Sequence, residues 1–199
     1  MIFIIIYGKC VLIITGNPGV GKHMISKMVA KKLSLDLVDI NTVAITNNAI
    51  KSKDRSGYVV DLQKLSLLMR KYVNRRSLMV GHLAPYVLKK GDACMVAVIR
   101  RSPYELERVY KKRGYNARKR ADNLESEIIG VCLYDAIKKF GKNKVAEFDN
   151  TAMKPEVVAD KIINAFKGKT GYVLGKVDWL SLIAANNDMQ RFFEYKKEK

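Results

Sequence analysis

The sequence predicts an α/β fold, a parallel sheet covered by helices on both faces, and three observations predict it. Cys10-Val-Leu-Ile-Ile-Thr15 is a continuous apolar, β-branched run, which is how a strand buried on both faces reads. Gly16-Asn-Pro-Gly-Val-Gly21 breaks that run, and Ile25, Met28, Val29 and Leu33 follow at helical spacing. Further short apolar runs then alternate with helical patterns along the chain, the signature of a parallel sheet with crossover helices.

Taken in order, Leu35 to Ile40 reads as a second short strand. Asn41 to Gly57 is polar and aperiodic, rich in Asn, Ser and Lys, and reads as a mobile lobe. Asp61 to Val73 is a helix with Leu62, Leu65, Met69 and Tyr72 on one face. Ser77 to Val80 is a strand that ends at Gly81-His82, and Cys94 to Ile99 is another that ends at Arg100-Arg101. Pro103 opens a helix at a position where proline is tolerated, and Arg113-Gly114 interrupts it. One long helix is expected from there to about Phe140, with Leu124, Ile128, Val131 and Ile137 facing inward. Lys144 to Phe148 is the last strand and Pro155 to Phe166 the last long helix. The pattern weakens from Gly168 to Lys199. Ligands of such sheets bind beyond the carboxyl ends of the strands, where Gly16–Gly21 and Gly81-His82 both lie.

The chain has 199 residues, a length that suits one domain with small lobes. An apolar fraction of 48% excludes a disordered chain, and 3 cysteines and 13 glycines exclude disulfide-stapled and collagen-like scaffolds. The 37 basic against 19 acidic residues give a net charge of +18, which predicts attraction to a polyanion, nucleic acid first among them; a lysine-rich surface on an ordinary enzyme is the other reading. Cys10, Cys94 and Cys132 are scattered through apolar stretches and read as buried reduced thiols in a cytoplasmic protein. Met1 to Tyr7 is apolar but shorter than the roughly 20 residues of a bilayer span, and it lacks a basic leader. It reads as an N-terminal extension over residues 1–9, and no membrane association is expected.

Gly16-Asn-Pro-Gly-Val-Gly-Lys22 fits G-x-x-x-x-G-K between a strand and a helix. The glycines let main-chain N–H groups turn toward phosphate oxygens, the helix N-terminus adds a positive dipole end, and Lys22 supplies a point charge. The motif normally closes with Ser or Thr, whose hydroxyl binds Mg²⁺. His23 stands there instead, and its imidazole reads either as a phosphate donor or as a neutral surface group.

Gly16–Lys22, then Gly81-His-Leu, then Arg113-Gly-Tyr-Asn with Asn123-Leu-Glu-Ser-Glu127, then Lys176-Val-Asp-Trp179, in this order, resemble the archaeal and eukaryotic adenylate-kinase-like proteins of the coilin-interacting nuclear ATPase type. The resemblance covers Val11 to Trp179. It implies a nucleoside monophosphate kinase fold with a parallel five-stranded core over residues 10–167, an NMP-binding lobe at about 39–58, a lid at about 112–122, and a C-terminal tail over 168–199. It implies ATP as cofactor with Mg²⁺, and a broad-specificity NMP kinase with ATPase activity. It also implies late maturation of the small ribosomal subunit, with a platform ribosomal protein and rRNA or pre-ribosome as partners. Gly19, Val20, Gly21, Lys22, His23 and Met24 would hold ATP, and Arg113 would reach it from the lid. Asp39 would belong to NMP binding, and His82, with Lys22, would be catalytic. No residue is assigned as a direct metal ligand. Val80 stands where the family carries an acidic residue two positions before the histidine. With both the hydroxyl and the carboxylate absent, a second expectation stands beside the kinase: a catalytically weak or inactive nucleotide-binding assembly factor.

Overall fold

The side chains of β1 (Val11–Thr15) are all buried, as an unbroken apolar run requires. The computed structural model describes residues 10–54 and 57–193. Its main sheet has five parallel strands: β1, β2 (Asp36–Asp39), β5 (Ser77–Val80), β6 (Ala93–Arg100) and β7 (Val145–Asp149), in spatial order β2-β5-β1-β6-β7. Side chains alternate across the pleat, so each strand feeds two apolar layers. Leu12, Ile14, Met95, Ala97 and Ile99 join one layer and Val11, Ile13, Val96 and Val98 the other. The first layer is covered by α1 (Lys22–Leu33), α5 (Pro103–Lys112), α6 (Ala117–Ile128), α8 (Pro155–Phe166), α9 (Trp179–Ala185) and α10 (Met189–Phe192). The second is covered by α2 (Ile40–Thr46), α3 (Leu62–Met69), α4 (Ala84–Val87) and α7 (Val131–Phe140).

Several expectations are corrected. The stretch from 41 to 54 has regular structure rather than none: α2 is capped by Asp39, whose carboxylate accepts from the Asn41 and Thr42 N–H groups. An antiparallel hairpin of β3 (Ile50–Asp54) and β4 (Gly57–Val60) follows. Its polar composition, without alternation in β3, hid a strand pair that stands off the main sheet. Asp61 is the N-cap of α3 rather than its first residue. The long helix expected up to Phe140 is two, because Gly130 takes a left-handed φ of 73° between α6 and α7. Cys10 and Cys94 are not reduced thiols; they form a disulfide with Cα atoms 5.1 Å apart, across the β1–β6 pair in which Val11 faces Ala93. Cys132 is the free cysteine among the described residues. The reading of Met1–Tyr7 as an extra strand lies outside the described residues.

Beyond α8 the chain returns to the sheet. The Glu147 N–H of β7 donates to Val173 O at 2.9 Å, and Trp179, Ile183 and Phe192 sink into the first apolar layer. Among the described residues no helix is long and apolar enough to cross a membrane.

Candidate active site at the phosphate loop

The phosphate loop, residues 16–21, joins β1 to α1, and its shape is imposed from outside. Gly19 and Gly21 take φ of 85° and 95°, and a Cβ on either would strike a neighbour, the Tyr110 ring at 2.9 Å or Asn150 Nδ2 at 2.6 Å. The glycines are therefore required by both backbone conformation and space.

Successive carbonyls of the loop are each held by a side chain. Asn17 O accepts from Lys22 Nζ at 3.1 Å and Pro18 O from the Tyr110 hydroxyl at 2.6 Å. Gly19 O accepts a longer contact from the Arg101 guanidinium at 3.4 Å, and Val20 O accepts from Asn150 Nδ2 at 2.8 Å. With the carbonyls engaged there, the N–H groups at the start of α1, which lack intrahelical acceptors, are left to serve an anion. None of Tyr110, Arg101 or Asn150 belongs to the motif. They come from α5 and from the ends of β6 and β7, and only the fold brings them to the loop.

Lys22 is 4% exposed. Burial pulls its pKa down to about 8, with Arg113 adding to the effect and Cys132, Asp39 and Glu127 opposing it. An anion placed beside this ammonium restores its charge, so the lysine is poised for phosphate. His82 follows β5 at the same strand-end level. Burial first, then the positive charges of Lys22 and His23, lower its pKa to about 4, so it is a neutral imidazole at pH 7. Arg113 ends α5, exposed, and lines the same cleft with Pro18, Lys22, His23 and Met24. Val20 is fully buried in the first apolar layer, so its contribution toward the cleft is main-chain only.

His23 is not a free surface group: its Nε2 lies 2.8 Å from Asp39 Oδ2. Burial pushes the Asp39 carboxyl up, but the hydrogen bond from His23 and the N–H of Thr42 outweigh it and hold the pKa below the ordinary value. Asp39 thus reaches back to α1 while capping α2. It also lies directly opposite Val80 in the β2–β5 register, one strand away from the position where a carboxylate was expected.

The donor set does not fit a magnesium ion held directly by the protein. Among the described residues no three His, Cys, Asp or Glu side chains gather in a metal-binding group. The hydroxyl is replaced by an imidazole, a poor partner for a hard cation, and the carboxylate beside it, Asp39, is engaged by that imidazole.

The cleft has a volume of roughly 910 Å³. Its far wall is built by α2, the hairpin and the start of α3, with Asn41, Ile45, Tyr58 and Leu62 among the lining residues. Tyr115, Lys119 and Asn123 close it on the side of Arg113.

Behind the loop lies a buried ionic cluster for which the sequence motif gives no signal. Arg100, 3% exposed, bonds Glu127 and Glu147, and Glu127 in turn accepts from the side chain of Asn17. Its traces in the sequence are charged residues inside the apolar environment of a strand end and a helix, and Glu127 within the segment that carries the resemblance.

The AAA domain family, in its AAA_18 form, matches residues 12–130. The chain is 32% identical over 186 residues to a Saccharolobus islandicus protein named "Putative adenylate kinase", covering 92% of each chain. It is 31% identical to a Methanocaldococcus jannaschii protein of the same name, over 92% of this chain and 94% of that one. Among solved structures it is similar to a shikimate kinase from Bacteroides thetaiotaomicron, with TM-score 0.55 and 14% identity over 79% of this chain and 98% of that one. It is also similar to a gluconokinase from Sinorhizobium meliloti, with TM-score 0.52 and 13% identity over 82% and 94%. At these identities the likeness establishes a shared P-loop kinase fold.

Proposed function

The chain belongs to the family of these archaeal adenylate-kinase relatives and carries their AAA-type P-loop domain, and from that premise we propose that it binds ATP on Gly16–Lys22 and transfers the γ-phosphoryl group to a nucleoside monophosphate, with a side ATPase activity. The observation that carries the reading is the phosphate loop with its carbonyls held from outside, Lys22 buried under it, and a cleft that continues to a second wall able to receive another ligand.

In this reaction a phosphate oxygen of the monophosphate attacks the γ-phosphorus. The bond from phosphorus to the β–γ bridging oxygen breaks, and ADP leaves. Lys22 and the N–H groups at the start of α1 hold the β- and γ-oxygens, and Arg113 places a guanidinium on the charge that spreads over the transferring group. Neutral His82 offers a ring N–H to a phosphoryl oxygen; in the absence of an acceptor, water attacks the γ-phosphorus, its proton passes to a γ-phosphate oxygen and ADP leaves, which gives the ATPase reaction. Asp39, paired to His23, sets the edge between phosphate loop and acceptor wall. Magnesium supplies charge neutralisation when it arrives chelated by ATP oxygens and water, and no step above depends on a protein ligand to it.

A second reading is favoured by His23, Val80 and the +18 charge: a slow or inactive nucleotide-binding factor of the coilin-interacting nuclear ATPase type. It would act in the cytoplasm in late maturation of the small subunit, through rRNA and a platform ribosomal protein. A coupled assay of ADP formation, with and without AMP and Mg²⁺, separates the two. AMP-dependent turnover supports the kinase, and ATP binding without it supports the factor. On the second reading a small-subunit rRNA fragment binds at low salt and releases as salt rises, because displaced counterions drive association. Affinity that stays flat between 50 and 200 mM salt, a range over which roughly 10³-fold weakening is typical for several phosphate contacts, rejects the electrostatic account.

A further inference from the structure

We infer that Glu127 is a positioning residue that ties the C-terminal segment 173–179 to the phosphate loop, so that docking of this segment sets the loop's nucleotide affinity. The inference rests on the proposed ATP site only in its consequence for affinity; the coupling itself is a property of the chain alone.

Glu127 is fully buried and its side chain accepts from four separate places. Oε2 takes the Asn17 Nδ2 hydrogen at 2.8 Å. Oε1 takes Arg100 Nε at 2.8 Å, the Arg101 N–H at 3.1 Å and the Trp179 indole N–H at 3.1 Å. One carboxylate therefore joins the phosphate loop, the end of β6 and the start of α9. The second tie runs through Arg100. Its guanidinium reaches Glu147 Oε1 at 2.6 Å, and Glu147 Oε2 accepts the Gly175 and Lys176 N–H groups at 3.0 and 3.2 Å. The segment is thus held at Gly175–Lys176 and at Trp179, both through groups bonded to Arg100.

The tie ends on the loop itself. Asn17, 4% exposed, offers its Oδ1 to the Ser126 hydroxyl at 3.0 Å and the Cys132 thiol at 3.3 Å, and its main-chain oxygen receives Lys22. Moving Asn17 therefore moves the acceptor that holds the lysine. In a buried ionic network every donor counts, because the groups cannot turn to water in its place. Removing the Trp179 N–H leaves Oε1 with two donors and frees the carboxylate to rotate toward Arg101, away from Asn17. Glu127 touches no substrate; it acts through Asn17 and Lys22. A partner that pulled residues 173–179 from their seat would loosen nucleotide by the same route.

The test uses the full chain with two variants. Trp179→Phe keeps the ring in the apolar layer and drops the N–H; Glu127→Gln keeps the shape and drops the charge. Amide hydrogen exchange is followed without nucleotide, comparing peptides that cover 16–24, 173–185 and, as a reference, 77–80 in β5. In Trp179→Phe the 16–24 peptide is expected to exchange about fivefold faster with 77–80 unchanged, and ATP affinity to fall by about the same factor, within the range that such couplings reach. Faster exchange confined to 173–185, with 16–24 as in the wild type, overturns the inference. Glu127→Gln is expected to exceed the tryptophan change at 16–24; where it does not fold, Trp179→Phe decides alone. Wild-type protein that fails to bind ATP by calorimetry overturns the ATP reading instead, and the exchange experiment still decides the coupling.

Discussion

The two walls of the cleft are built on opposite principles. The phosphate wall is a short loop whose carbonyls are held by side chains from four elements or their ends and whose asparagine is tied to a buried ionic cluster. The acceptor wall is α2, the hairpin and the start of α3; Val43 and Ala44 anchor α2 in the second apolar layer, but several apolar side chains of this wall stay in water: Ile45, Tyr58 and Leu62 are 49%, 51% and 39% exposed. In the proposed reaction a polyphosphate, which must be met at fixed points, would face the wall whose carbonyls are pinned. The opposite wall leaves part of its apolar surface exposed, a feature of regions of low local stability, from which binding lobes are drawn. In the proposed reaction, specificity for a triphosphate and tolerance among acceptors would follow from stiffness as much as from chemistry.

The largest effect that would break this contrast is at Lys22. Lys22→Ala removes the buried charge at the centre of the stiff wall and should weaken ATP by about a hundredfold or more, on the order of 3 kcal/mol for a charge-assisted contact set. Titration calorimetry with unchanged affinity in this variant would falsify the phosphate-loop assignment.

Next in size is the edge where the walls meet. His23→Thr installs the hydroxyl that hard cations prefer and releases Asp39 from its imidazole partner. Magnesium-dependent ADP formation should rise about tenfold, part of what one added electrostatic contact supplies. Val80→Asp, by contrast, places a carboxylate on a fully buried position, and its melting temperature should fall whatever its rate. A His23→Thr variant no faster than wild type at any Mg²⁺ concentration would mean that the ion never approaches Asp39.

A paired comparison sharpens the contrast itself. Asn150→Ala orphans the buried Val20 carbonyl and should cost about 1–3 kcal/mol in denaturant unfolding and weaken ATP. Ile45→Ala trims an exposed side chain on the other wall and should leave stability within about 0.5 kcal/mol while changing KM for the monophosphate alone. Equal stability losses in the two variants would show that the walls do not differ in stiffness.

The smallest effect is a proton. With a pKa of about 8, Lys22 is half deprotonated at pH 8 in the free protein, and polyphosphate brings it back to full charge. ATP binding at pH 8 should therefore take up about half a proton, visible as a dependence of the calorimetric enthalpy on buffer ionisation enthalpy and absent in Lys22→Ala. The same linkage sets two stability limbs. Because His82 is depressed to about 4 from 6.5, the unfolded chain binds more protons between those values, and stability falls as pH drops through that window. The depressed Lys22 has the matching effect at the other end, stability rising from about pH 8 toward 10.5.

Strands, main helices and the phosphate loop were legible because each rests on local pattern: a β-branched run, helical spacing, glycines at fixed offsets. The hairpin was not, because an isolated strand pair off the main sheet has no buried face to impose alternation on Ile50–Asp54. The break at Gly130 hid in an apolar pattern that two short helices share with one long one. At the site, Lys22 and Arg113 could be assigned from motif and resemblance; Tyr110 and Asn150 could not, and Glu127 entered the resemblance without a role. Their work depends on contacts 92, 130 and 110 residues away in the chain, and no local pattern encodes a partner at that distance. The pairing of His23 with Asp39 is of the same kind: each was named singly, and only the β2–α1 packing joins them.

The bond between Cys10 and Cys94 divides the molecule in a way the cleft does not. With a sequence separation of 84, it closes a covalent ring that contains Lys22, Asp39, His82 and the whole acceptor lobe, while Arg113, Glu127 and Asn150 hang on the open arm. A cross-link over a span of that order narrows the unfolded ensemble by about 4 kcal/mol in the chain-entropy account. It also means that a protease cutting once anywhere in the acceptor lobe produces no separate fragments: phosphate loop and histidine stay on one covalent object until the bond is reduced.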